Sequence, residues 1–99
     1  MTVDDFKADL EKVVSDLSFS GFGKIDPAMV EKLDKLAVQA DGLGLKGGKQ
    51  LLQNLSGIMT AIKEGKSQAP SGILRLTALD FYVKRLPNED NIEDLLIFE

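Results

Sequence analysis

The chain has no histidine, no cysteine and no tryptophan, and only three prolines among its 99 residues. Without histidine it lacks the one side chain that titrates near neutrality unaided, the commonest general base. Without cysteine it has no thiolate nucleophile and no disulfide. Ser–His–Asp and Cys–His sites are therefore excluded, as are the usual zinc sites of nitrogen and sulfur ligands. Carboxylate or lysine chemistry would need a desolvated cleft, which a bundle of this size seldom encloses. The expectation is a protein without catalytic activity, metal or cofactor.

Long apolar runs are lacking too. No stretch approaches the roughly 20 apolar residues that a membrane span requires. The first twenty residues alternate charged and apolar positions, with no basic start and apolar block of a signal peptide. Together with the missing cysteines, this suits a cytoplasmic protein that has no membrane partner.

What is present suits one folded domain over residues 1–99. The hydrophobic share of 43% is near the globular norm, and a chain of this length can bury one modest core. The apolar residues are mostly leucine, isoleucine, valine and alanine, which suits helices packed on helices. The net charge of −4 is unevenly spread. Asp4, Asp5, Asp9, Glu11 and Asp16 outweigh Lys7 and Lys12 at the start, while Glu89, Asp90, Glu93, Asp94 and Glu99 stand with no base at the end. The 24–87 middle is correspondingly basic. An acidic total argues against non-specific nucleic-acid binding, which works by neutralising phosphates.

Apolar periodicity marks four helices. Val3, Phe6, Leu10, Val13 and Leu17 share one face of a first helix, about 3–17, with Thr2 and Asp5 placed as a capping box. Ser18 to Gly23 is expected to break it. Asp26 as N-cap and Pro27 at the first helical position begin a second helix, which Asp41-Gly42 ends, with Gly42 suited to the left-handed conformation. A third helix is expected from about Lys49 to Glu64. A fourth runs from about Ser71 to Leu86; apolar on two sides, it reads as the most buried. Pro87 ends it. Beyond lies either a short fifth helix, Glu89 to about Leu96, or an extended tail. Short connections make an all-α, antiparallel four-helix bundle the expected architecture.

Two local features could carry function. Gly42-Leu43-Gly44-Leu45-Lys46-Gly47-Gly48 spells the dinucleotide fingerprint, but no strand precedes it and the chain is too short for that fold. Two readings of it stand. It is a flexible turn whose glycines supply positive φ, or an anion site in which Gly44, Lys46, Gly47, Gly48 and Lys49 offer backbone N–H groups and charge at a helix start. Phe19 and Phe22, in a serine- and glycine-rich stretch, either anchor a partner protein or fold back over the bundle end. The acidic ends are a solvated surface or the docking site of a basic partner.

From Leu43 onward the chain also resembles the histidine phosphotransfer (HPt) superfamily of four-helix bundles. Leu45-Lys46-Gly47-Gly48 is similar to the second half of its His-x-x-Lys-Gly motif. Ile58 to Gly65 looks like the end of the next helix, and Ile73 to Asp80 like the helix after it. The phosphorylated histidine would fall at Leu43, so the resemblance implies a phosphorylation-dead docking module. Ala40-Asp41-Gly42 is slightly similar to the tellurite-resistance TerB family; the acids that follow there are missing, and no metal site carries over.

The combined expectation is a small cytosolic helical module that binds a protein partner or its own copy through Phe19 and Phe22. The alternative is an anion- or phosphate-binding protein using residues 44–49.

Overall fold

The computed structural model describes residues 2–86 together with Asn88 and Asp90. Four helices account for about four-fifths of them: α1 (Val3–Ser20), α2 (Pro27–Gly42), α3 (Lys46–Lys63) and α4 (Ala69–Arg85). The expected fifth helix or tail lies outside the described residues. The helices pack in a ring, each against its two neighbours, with α2 on α3 the most extensive pairing and α1 the most lightly attached. Short connections alternate their directions, so the bundle is antiparallel and all-α.

Local chemistry explains most of the boundaries. Thr2 caps α1 as expected: its hydroxyl accepts from Asp5 N–H at 3.1 Å, and Asp5 returns the bond to the Thr2 amide. The helix nevertheless continues three residues past Leu17. Ser18-Phe19-Ser20 contains neither glycine nor proline, and nothing stops it before Gly21, whose φ is 73°. Asp26 caps α2 through Ala28 N–H at 2.9 Å. At the far end of α2 the left-handed residue is Gly44, not Gly42. With φ 76° it donates to Asp41 O, while Leu45 N–H reaches back to Ala40 O at 2.9 Å. That Schellman geometry absorbs Gly42 into the helix and turns the chain sharply into α3.

Leucines dominate the core. Phe6, Leu10 and Val13 of α1 meet Leu33, Leu36 and Ala40 of α2, Leu52, Leu55 and Met59 of α3, and Leu79, Tyr82 and Val83 of α4. A partly buried polar link lies at its edge: Ser56 Oγ donates to Asp34 Oδ1 at 2.7 Å, tying α3 to α2. Between α1 and α4 the Lys7 ammonium donates to Leu86 O at 2.8 Å, capping the end of α4.

Phe22 is buried in this core at 5% exposure, while Phe19 is 96% exposed. The two aromatics therefore do not form one contact surface. Phe22 lies flat against α4 where a glycine makes room: a Cβ on Gly72 would stand 2.8–3.0 Å from its ring. Helix α4 also departs from expectation. Its inner side, Ala78 and Tyr82 included, is buried, but Ile73, Leu74 and Phe81 are 55%, 45% and 47% exposed, so the bundle does not cover all of its apolar surface.

The two phenylalanines should separate cleanly in urea unfolding followed by helical circular dichroism. Phe22→Ala is expected to cost about 3–5 kcal/mol, the usual range for a buried aromatic. Phe19→Ala should stay within about 0.5 kcal/mol of the parent, as exposed positions do. Equal effects would mean that Phe22 is not a core residue.

Candidate functional site

The first turn of α3 has no local cap. Leu45 is its N-cap residue and makes no side-chain hydrogen bond to the helix, and leucine has no side-chain oxygen with which to do so. The first internal bond of the helix runs from Lys49 N–H to Leu45 O at 3.0 Å. Gly47 and Gly48 N–H lie upstream of it and have no intrahelical acceptor.

A carboxylate from elsewhere in the chain supplies one. Gly47 N–H donates to Asp90 Oδ2 at 3.0 Å, and Gly48 N–H to Asp90 Oδ1 at 3.2 Å. The Tyr82 hydroxyl donates to the same Oδ1. Asp90 thus receives three donors, two of them at the positive end of a helix dipole, a favourable setting for an anion. Closing this arrangement requires the α4 ring to approach the α3 backbone. A Cβ on Gly48 would stand 2.7 Å from Tyr82 Oη and 3.1 Å from two ring carbons, so only glycine fits there.

The local electrostatics follow. Burial, then the hydrogen bond and charge of Asp90, push the Tyr82 hydroxyl well above its ordinary value of 10.0, while the Gly48 backbone N–H pulls the other way. Tyr82 stays neutral and remains a donor under all physiological conditions.

Of the residues expected to form an anion site, only Gly47 and Gly48 meet on one anion, the chain's own Asp90 carboxylate. Gly44 N–H is bonded to Asp41 O, and Gly47 and Gly48 N–H to Asp90. The Lys49 ammonium pairs with Asp41 at 3.4 Å, and Lys46 is exposed on the first turn. Sequence reasoning placed the start of α3 three residues late, because nothing local shows that Asp90 caps it. Lys46 and Lys49 are not brought beside Phe19 and Phe22. They lie at opposite ends: Gly48 sits against the last turns of α4, Phe22 against its first.

A second feature is the seam between α1 and α4. Two open cavities of about 460 and 340 Å³ run along it and share Val14 and Asp80. One is charged, lined by Lys7, Glu11 and Lys84; the other is largely apolar, floored by Leu17, Phe22 and Leu76 with Ile73 on its rim. Asp80 and Lys84 pair at 3.0 Å along this edge of α4. The exposed Leu74 and Phe81 stand further round the same helix. Sequence periodicity showed α4 to be apolar on two sides and so read it as the most buried helix; it could not show that Leu74 and Phe81 stay exposed.

Among the described residues no three acidic, histidine or cysteine side chains converge as a metal site would require, and no helix is long and apolar enough to cross a membrane. No protein-family model, curated protein or solved structure matches the chain.

Two measurements check the arrangement at Gly48. Gly48→Ala should destabilise by about 1–3 kcal/mol because the methyl displaces the Tyr82 ring. Gly57→Ala, on the same helix with nothing within 4 Å, should stabilise by up to about 1 kcal/mol. If both substitutions stabilise, the close approach of Tyr82 is wrong. The second check is alkaline titration. Because Tyr82 has its pKa raised in the fold, its contribution is fully present below pH 10.0 and is lost as pH rises above that value. Only the unfolded chain then releases its proton, at about 1.4 kcal/mol per pH unit. Tyr82 is the sole tyrosine and there is no tryptophan, so tyrosinate absorbance reports it alone. That absorbance should rise together with the loss of helical signal. Its appearance near pH 10 with the helices intact would show that the hydroxyl is not held.

Proposed function

We propose that this chain is a small, non-catalytic cytosolic helical module that works by protein docking, and that the docking surface is the outward side of α4. The carrying observation is the group Ile73, Leu74 and Phe81, each about half exposed along one helix. Apolar groups that stand together on a small domain mark interaction surfaces more often than isolated ones do. This replaces the Phe19–Phe22 pair as the centre of contact, since Phe22 is buried; Phe19 remains an exposed aromatic on α1.

A second copy of the chain is the occupant that suits this helix. Leu74 and Phe81 are two turns apart, with Thr77 between them. The Thr77 hydroxyl is already bonded to Ile73 O at 2.8 Å and needs no outside partner. A two-fold axis near Thr77 would set Leu74 of one copy against Phe81 of the other, twice, as an isologous interface requires. The apolar group is small beside a standard interface, so the association should be weak, with a dissociation constant of micromolar order or above. The HPt resemblance points the same way, toward a bundle that docks rather than one that transfers phosphate, since Leu43 occupies the position of the histidine.

Sedimentation equilibrium over a range of concentrations tests this reading. The parent chain should shift toward dimer as concentration rises into the high micromolar range. Phe81→Glu should remain monomeric with unchanged helical content, because the side chain is already half in solvent. A parent chain that stays monomeric at millimolar concentration would remove the self-docking reading.

A further inference from the structure

The two open cavities between α1 and α4 meet at Val14 and Asp80, so they form one continuous groove along the seam. Its α1 wall runs from Lys7 to Ser18, about 16 Å at the helical rise, or three turns. Small-molecule sites are concave and enclose most of their ligand. This groove is longer than such a ligand and open to solvent along one side. A trough between two adjacent helices is the shape that receives a third helix.

The two ends of the groove differ in chemistry. At the Ser18 end the floor is apolar, made by Leu17, Phe22 and Leu76, with Ile73 half exposed on the rim. At the other end the walls carry charge, and most of it is already engaged. Lys84 pairs with Asp80 at 3.0 Å, and the Lys7 ammonium donates to Leu86 O. Glu11 is exposed and has no hydrogen-bond or ion-pair partner among the described residues. Asp4, two turns earlier on the same row of α1, adds a second exposed carboxylate. The charge this groove offers to a visitor is therefore negative. Glu11 and Ser18 are two turns apart, about 10 Å, so the complement is a helix with apolar and cationic residues at that separation on one face.

We propose that the α1–α4 groove is the docking site for a basic, amphipathic helical segment of another protein. Its apolar residues sit over Leu17, Phe22 and Leu76, and its lysine or arginine pairs with Glu11. The groove is a separate surface from the self-docking face of α4. Leu74 and Phe81 do not line it, and Ile73 alone borders both.

Peptide titrations into the isotope-labelled full chain, followed through backbone amide shifts, test this. The probe is an alanine-based helical peptide with two leucines one turn apart and an arginine two turns further along. Its counterpart has glutamate in place of the arginine. The arginine peptide should shift amides from Glu11 to Ser18 and from Ile73 to Lys84, and bind about fivefold or more tighter than its counterpart. In Glu11→Gln, an exposed position that should leave the fold intact, this preference should shrink about threefold or more. Phe81→Glu, outside the groove, should retain the same seam shifts. A seam silent to the arginine peptide at millimolar concentration overturns the proposal. So does an unchanged preference in Glu11→Gln, or a set of shifts centred on Leu74 and Phe81 and lost in Phe81→Glu. Seam shifts that grow with protein concentration in the absence of peptide would assign the groove to a second copy and overturn it as well.

Discussion

The start of α3 depends on a carboxylate more than forty residues away in the chain. A helix that begins Leu-Lys-Gly-Gly has a weak beginning on every local count. It has no capping oxygen, no acid in its first turn, and two residues that lose more backbone entropy than any other on becoming helical. Asp90 offsets that weakness by accepting two otherwise orphaned N–H groups at the positive end of the dipole. The glycines that weaken the helix also permit the solution, since any side chain at Gly48 would collide with Tyr82. Helix start, ring packing and the placement of Asp90 are thus one linked arrangement.

The opposite end of the bundle uses the same device with different residues. Phe22 leaves the α1–α2 connection and lies on Gly72, as Tyr82 lies on Gly48. In each case an aromatic ring seats against backbone at a position without a Cβ, close to one end of α4. Between these seats the inner face of α4 is buried, and its outer face is left to Ile73, Leu74 and Phe81. The lightly attached α1 and the grooves along its seam with α4 make this the more open side of the molecule.

Much of this was legible in advance, and all but one of the misreadings come from contacts remote in the sequence. Apolar periodicity found all four helices, and Thr2, Asp26 and Pro27 marked starts that the structure retains. The α1 C-terminus was placed early because serine reads as a loop residue, whereas only Gly21 has the backbone freedom to stop the helix. The α3 N-terminus was placed late because its cap is remote. Of the candidate anion residues Gly47 and Gly48 hold a carboxylate, but nothing in a linear pattern shows that it is Asp90, one of five acids after Asn88. For Phe22 the two readings, contact residue or cover, differ only in whether a small residue waits opposite, and Gly72 is fifty positions away.

By itself the sequence determined the fold class, the four helices found among the described residues and the chemistry that is missing. Those follow from 3.6-residue periodicity, local capping and residue inventory, all of which act over a few positions or none. Which aromatic is buried, which face of α4 stays bare and which acid caps α3 were decided by tertiary structure. Each depends on what lies across a few ångströms of space from a residue far along the chain, and periodicity carries no record of that. The missing histidine and cysteine limited what the protein can do; where Gly48 and Gly72 fall opposite Tyr82 and Phe22 settled the shape in which it does it.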